Sequence, residues 1–142
     1  MDTWLDGVKL AWLKKFGLLL LLLIPTLVLA EPARVVFHLN EAEKLPLLLN
    51  NTLNLKKDLG PEVIIEVVVN GPAITRLASV ANTGDSLQKM LDAGVELGGC
   101  SNAMRNSNLD QSKLYPGVKI INEGGITRLL RLQQQGYAYI KI

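Results

Sequence analysis

One cysteine, one histidine and few aromatic residues (5%) are the scarcities of this chain, and each removes a class of mechanism. The lone Cys100 cannot form a disulfide within the chain, so no internal staple holds the fold. His38 stands alone among imidazoles and no Cys-His cluster exists, so no metal centre is expected. Charge of either sign is not in excess: 15 Lys and Arg face 13 Asp and Glu, and the basic residues are scattered. Nothing therefore marks a nucleic-acid surface, and no nucleic-acid partner is expected. Phosphate loops ending in Gly-Lys-Ser/Thr, Gly-x-Gly-x-x-Gly fingerprints, Gly-x-Ser-x-Gly elbows and His-Glu-x-x-His helices are all absent. Nucleotide enzymes and the common hydrolases are thus left without their chemistry, and no cofactor is expected.

What the chain does have begins with one long apolar run near the N-terminus. Lys9, Lys14 and Lys15 precede Phe16 to Ile24, which continues through Pro25 and Thr26 to Val28-Leu29-Ala30. Charged, apolar and small-residue zones in that order define a secretory leader, predicting cleavage after Ala30 and a periplasmic product. The competing reading is a retained anchor facing the periplasm from the inner membrane, since Trp4, Leu5, Val8 and Trp12 share one helical face suited to a membrane interface. Phe16 to Ala30 falls short of the roughly 20 residues a spanning helix requires, which favours cleavage. Membrane contact is expected only if the segment is retained.

Residues 31–142 have the size of one ordinary domain, large enough to bury a core of their own. Arg34 to Leu39 and Glu62 to Val69 are β-branched, nearly unbroken apolar runs, the pattern of parallel strands covered on both faces. Between them, Glu41 to Leu59 carries leucines at helical spacing, with Pro46 in its first turn and Gly60-Pro61 as a stop. Beyond Asn70-Gly71-Pro72 the pattern predicts a short helix over Ala73 to Val80 and a better one from Asp85, as its N-cap, through Ala93. Val95 to Gly99 reads as a third strand, Ser101 to Arg105 and Leu109 to Leu114 as helical pieces, and Gly117 to Asn122 as a fourth strand. Ile126 to Gln135 reads as a helix stopped by Gly136, and Tyr137 to Ile142 as the last strand. Alternation of this kind predicts a single three-layer α/β domain, a five-stranded, mainly parallel sheet between helix layers.

Ligands of such sheets gather at the carboxyl ends of the strands, where loop amides and helix N-termini converge. The residues falling there are His38, Asn70, Gly71, Cys100, Ser101, Asn102, Glu123 and Gly124. Cys100 lies where the third strand meets the following helix, whose N-terminal partial charge favours thiolate. The bland alternative is a small buried residue filling space. His38 would reach Cys100 if the first and third strands were neighbours; otherwise it is a strand-end histidine bonded to backbone. Glu123 precedes Gly124-Gly125, where backbone amides suit an anion, although a carboxylate there also serves as a helix-terminal charge partner.

Taken together, RVVFHLNEAEKLPLLLNNTLNLKKDLG, VIIEVVVNGPAI, LDAGVELGGCSNAMR and YPGVKIINEGGITRLLRLQQQGYAYIKI resemble the DsrE/DsrF-like family, in particular its small exported members. The most specific parts are NGPAI at Asn70 to Ile74, GGCSNAM at Gly98 to Met104 and the closing QQQGYAYIKI. The resemblance covers residues 33–142 and implies a DsrE-like fold and assembly of identical chains into trimers or hexamers. In sulfur-relay members a cysteine in the strand-to-helix loop receives sulfur as a persulfide and passes it on. Cys100 matches that position, implying a sulfur donor and an acceptor thiol as partners. Two departures stand out: the leader pattern predicts export, whereas the best-understood relays work in the cytoplasm, and no second cysteine is present to resolve an intermediate. Two functions follow, a sulfur carrier or transferase working through Cys100, or a non-enzymatic binding or assembly module in which Cys100 is packing.

Overall fold

The computed structural model describes residues 31–142, so both the leader and the anchor readings concern residues outside that range. Five strands form the sheet: β1 (Arg34–Leu39), β2 (Ile64–Val69), β3 (Glu96–Cys100), β4 (Lys119–Ile121) and β5 (Ala138–Lys141). Their order is β4-β3-β2-β1-β5, and all four pairings are parallel. An isolated antiparallel bridge joins Ala78 to Leu114 outside the sheet. The helices are α1 (Leu45–Leu59), α2 (Gly84–Asp92), α3 (Ser101–Asn106) and α4 (Gly125–Gln134), with 3-10 turns at Ala42–Lys44, Gly71–Leu77 and Gln111–Lys113.

This order explains the two unequal cores. The chain steps from β1 to β4 in one direction, and right-handed crossovers lay those connections on one face of the sheet. There Val35, Phe37, Leu39, Ile65, Val67, Val69 and Leu97 meet Leu45, Leu48, Ile74, Leu77, Leu87 and Met90. The return from β4 to β5 runs the opposite way and places α4 on the other face, over Val36, Val68 and Ile121, with Leu129 and Leu132 pointing in. A single helix leaves that second face partly open.

Several local expectations are corrected. Ala73 to Val80 does not form an α-helix; the 3-10 turn over Gly71–Leu77 ends because Leu77 O accepts from Tyr115 N at 2.8 Å and Ser79 N donates to Lys113 O at 2.8 Å. Pairing with Lys113 to Tyr115 thus takes the groups that a helix would have used. Leu109 to Leu114 shrinks to the turn at Gln111–Lys113, capped by Asp110, whose carboxylate accepts from Ser112 N at 2.8 Å. Asp85 is not the N-cap of α2: Thr83 holds that position, its hydroxyl donates to Arg76 O at 2.7 Å, and Asp85 lies within the first turn. β4 begins at Lys119 rather than Gly117, because Gly117 turns the chain through φ +91°. β2 is not wholly apolar-covered, since Ile64 is exposed and Glu66 is buried with a charged partner described below.

Candidate functional site

Cys100 ends β3 and is also the N-cap of α3, so the thiol sits where the sheet stops and the chain turns upward. Its side chain lies on the same face as α4. Gly125, the first residue of α4, fits between Cys100 and Asn70: a Cβ built there would stand 3.3 Å from the Cβ of each. With no side chain in the way, Gly125 N–H reaches the sulfur and donates to Cys100 Sγ at 3.1 Å. The sequence assigned the electrostatic partner of the thiol to the helix that follows it, α3; the donor that reaches it comes instead from α4.

A hollow of about 260 Å³ opens beside this contact, lined by Asn70, Gly71, Cys100, Asn102, Glu123 and Gly124 together with neighbours from α3 and α4. Cys100 is 5% exposed, so the sulfur is recessed at the floor rather than displayed on a rim. Six of the eight rim residues read from the sequence therefore meet in one place. Ser101 turns away, its hydroxyl donating to Asn122 O at 3.2 Å. Both amides of the glycine pair are committed within the chain, Gly124 N to Ile121 O at 3.2 Å and Gly125 N to the sulfur. Glu123 serves as a charge partner, pairing with Arg131 in the second turn of α4.

His38 does not approach Cys100, because β2 lies between β1 and β3. Nor does it bond backbone. Its ring is fixed by side chains at both nitrogens, Nδ1 by Tyr139 OH at 2.8 Å and Nε2 by Asn70 Oδ1 at 3.0 Å, and the residue is 8% exposed. It thus reaches the hollow only through Asn70. Tyr139 escaped the sequence reading because its nearness to His38 depends on β5 returning to the side of β1, a topological fact with no local signal. Asn106 and Thr127, also on the wall, lie beyond the loop positions at which ligand residues were sought.

A second hollow, of about 350 Å³, lies on the open part of the same face above Gly98. Ion pairs surround it: Arg128 with Glu66, Lys119 with Glu96, and Arg131 with Glu123. The Arg128 guanidinium is held above its ordinary value, chiefly by its bonds to Glu66, with burial opposing. Among the described residues no three His, Cys, Asp or Glu side chains are grouped to hold a metal ion.

Sheet order, one helix on the second face and a recessed thiol at the strand ends define a small α/β protein of DsrE-like architecture. The chain belongs to the DsrE/DsrF-like family, whose family model matches residues 35–142. Among solved structures it resembles MTH1491, a protein of unknown function from Methanobacterium thermoautotrophicum, at 32% identity and a TM-score of 0.73, over 78% of this chain and 99% of that one. It shares its fold with the ychN protein of E. coli (16% identity, TM-score 0.67, 78% and 99% of the two chains). The same holds for BT1422 of Bacteroides thetaiotaomicron, a protein of unknown function (17% identity, TM-score 0.64, 77% and 94%). No curated protein matches this chain.

Proposed function

We propose that this protein is an exported sulfur carrier that holds sulfane sulfur on Cys100. One observation carries the reading: the only thiol of the chain lines an open hollow and accepts a backbone N–H from the start of a second helix. A donor aimed at sulfur supports the anionic nucleophile that such chemistry needs. The thiolate attacks the outer sulfur of thiosulfate or a polysulfide; a new S–S bond forms, the donor's S–S bond breaks, and sulfite or a shortened polysulfide leaves with the electron pair. An acceptor thiolate then attacks the outer sulfur of the persulfide and Cys100 leaves as thiolate. No net oxidation occurs. Because the chain has one cysteine, that acceptor belongs to another molecule.

The periplasmic location rests on the leader pattern of residues 1–30, and tethering through a retained segment is its alternative. Assembly into trimers or hexamers rests on the family and on β5, an uncovered sheet edge that leaves Tyr139 and Ile140 exposed. The burial of Cys100 as a member of the larger core supports the second reading, a binding or assembly module with a structural cysteine. Intact mass after exposure to thiosulfate or polysulfide separates them. Gain of one sulfur atom, lost in Cys100→Ser, supports the carrier; an unchanged mass, with ligand binding and oligomer size preserved in Cys100→Ser, supports the module.

A further inference from the structure

Two carboxamides on the wall of the Cys100 hollow are held the same way round. Asn70 Oδ1 lies 3.0 Å from His38 Nε2, and an amide oxygen only accepts, so Nε2 carries the proton and donates. Nδ1 stands 2.8 Å from the Tyr139 hydroxyl, which holds the other side of the ring. The buried imidazole is held at both nitrogens, and its Nε2–H fixes the carboxamide of Asn70. Asn102 repeats the arrangement with a cation, its Oδ1 accepting from Arg105 Nη2. Each asparagine has spent its oxygen on a residue outside the hollow, which leaves its NH2 group for whatever enters. Asn102 Nδ2 stands 3.1 Å from the point a Cβ on Gly124 would occupy, beside the start of α4.

Some acceptors on or beside the same wall already have partners within the chain. Glu123, its one carboxylate, pairs with Arg131, and Asn122 O, beside it, takes the Ser101 hydroxyl. Even the sulfur receives a hydrogen bond, from Gly125. Asn70 and Asn102, which could equally offer oxygen or nitrogen, are both turned to offer nitrogen.

We infer that the hollow selects its sulfur compound by charge, taking the anionic end of a thiosulfate or polysulfide against the NH2 groups of Asn70 and Asn102, with His38 as the positioning residue that orients Asn70. The identity of the ligand rests on the sulfur-carrier reading, whereas the charge preference does not. A neutral disulfide or alkyl persulfide brings no charge to these NH2 groups and gains less from them than an anion does. Tyr139 acts one step further out, by holding the His38 ring at Nδ1.

Alkylation of Cys100 by iodoacetate and by iodoacetamide tests this, since in both the thiolate forms a C–S bond and expels iodide, and the reagents differ in charge. The acetate-to-acetamide rate ratio is expected to exceed that of free cysteine by about tenfold. Asn70→Asp keeps the acceptor for His38 but replaces the NH2 with a second carboxylate oxygen, and it is expected to reduce the ratio by at least about tenfold. His38→Ala frees the carboxamide to turn and is expected to lower the ratio by slowing iodoacetate more than iodoacetamide. A ratio equal to that of free cysteine, or one that neither variant moves, overturns the inference. Should the recessed sulfur react with neither reagent, a thiosulfate titration of Cys100→Ser followed by ¹⁵N NMR decides. Shifts of the Asn70 and Asn102 side-chain NH2 signals support the inference, and their absence overturns it. Failure of the carrier reading looks different: no sulfur is gained in the mass experiment, yet the charge preference survives.

Discussion

Arg128 grips Glu66 with a two-pronged contact across the second face of the sheet, Nε to Oε1 and Nη2 to Oε2, each at 2.7 Å. The Glu66 side chain is 8% exposed and that of Arg128 31%, so the carboxylate depends on the guanidinium for its charge partner. Arg128→Met strands that carboxylate and is expected to cost about 2–3 kcal/mol, below the fully buried range because Arg128 is partly solvated. Glu66→Leu combined with Arg128→Met removes both charges and is expected to recover most of the loss. Since the pKa of Arg128 is raised, its contribution is complete below the ordinary arginine value and fades only in strong alkali. Urea midpoints at pH 6 to 9 check the outcome; a single variant as stable as its parent contradicts it.

Leu132 is fully buried and belongs to the small cluster of Val36, Val68, Ile121 and Leu129 that seats α4. Few partners share that burial, so Leu132→Ala leaves a cavity that the cluster cannot easily close. A loss of about 2–4 kcal/mol is expected. Ile126→Ala on the exposed side of α4 is expected to stay within about 0.5 kcal/mol of the parent. Equal losses at both positions would mean that α4 is not held to the sheet by this cluster.

Asp110 holds the turn at Gln111–Lys113, accepting from Ser112 N at 2.8 Å and Ser112 Oγ at 2.7 Å. Those bonds pull its pKa below the ordinary 3.8, the hydroxyl contributing most. A depressed carboxylate stabilises the fold in full above its unfolded value and loses that contribution as pH falls through its folded value. The gap in urea midpoint between the parent and Asp110→Ala is therefore expected to be constant above about pH 4 and to close below it. A gap that persists unchanged at pH 2 would show that the carboxylate charge plays no part.

Legibility followed the range of the forces involved. β1, α1 and β2 were readable because Arg34 to Leu39 and Ile64 to Val69 are β-branched and apolar, and because Pro46 and Gly60 punctuate the helix between them. Cys100 was legible from its place where the third strand meets the next helix, the family resemblance pointed to the same residue, and knowing that strand ends gather predicted that Asn70, Asn102 and Glu123 would stand near it. Segments decided by distant backbone partners were not readable: Gly71–Leu77 stays a 3-10 turn because Leu77 and Ser79 bond Tyr115 and Lys113. The same is true of the His38 ring, whose two partners arrive from β2 and β5. Glu66 lies within a strand that read as almost wholly apolar, and only the return of α4 over the second face supplies the Arg128 that explains it.

Gly125 offers the sharpest test of how the thiol is held. It has no positive φ to preserve, so alanine is tolerated by the backbone, and alanine favours a helix by up to about 1 kcal/mol over glycine. The added Cβ meets the Cβ atoms of Asn70 and Cys100 at 3.3 Å and Val68 Cγ1 at 3.4 Å, so these neighbours must move by a few tenths of an ångström. Crowding of that kind costs about 1–3 kcal/mol, partly offset by the helix gain, and the net loss of stability is expected near 1 kcal/mol. The local consequence is larger than the global one. Asn70 and Cys100 are fixed to neighbouring strand ends, so α4 yields instead and Gly125 N–H draws away from the sulfur. Iodoacetamide is then expected to react roughly threefold to tenfold more slowly than with the parent, because the thiolate has lost its donor. Rates that match the parent while the urea midpoint falls would show that the N–H contact packs the sulfur without activating it.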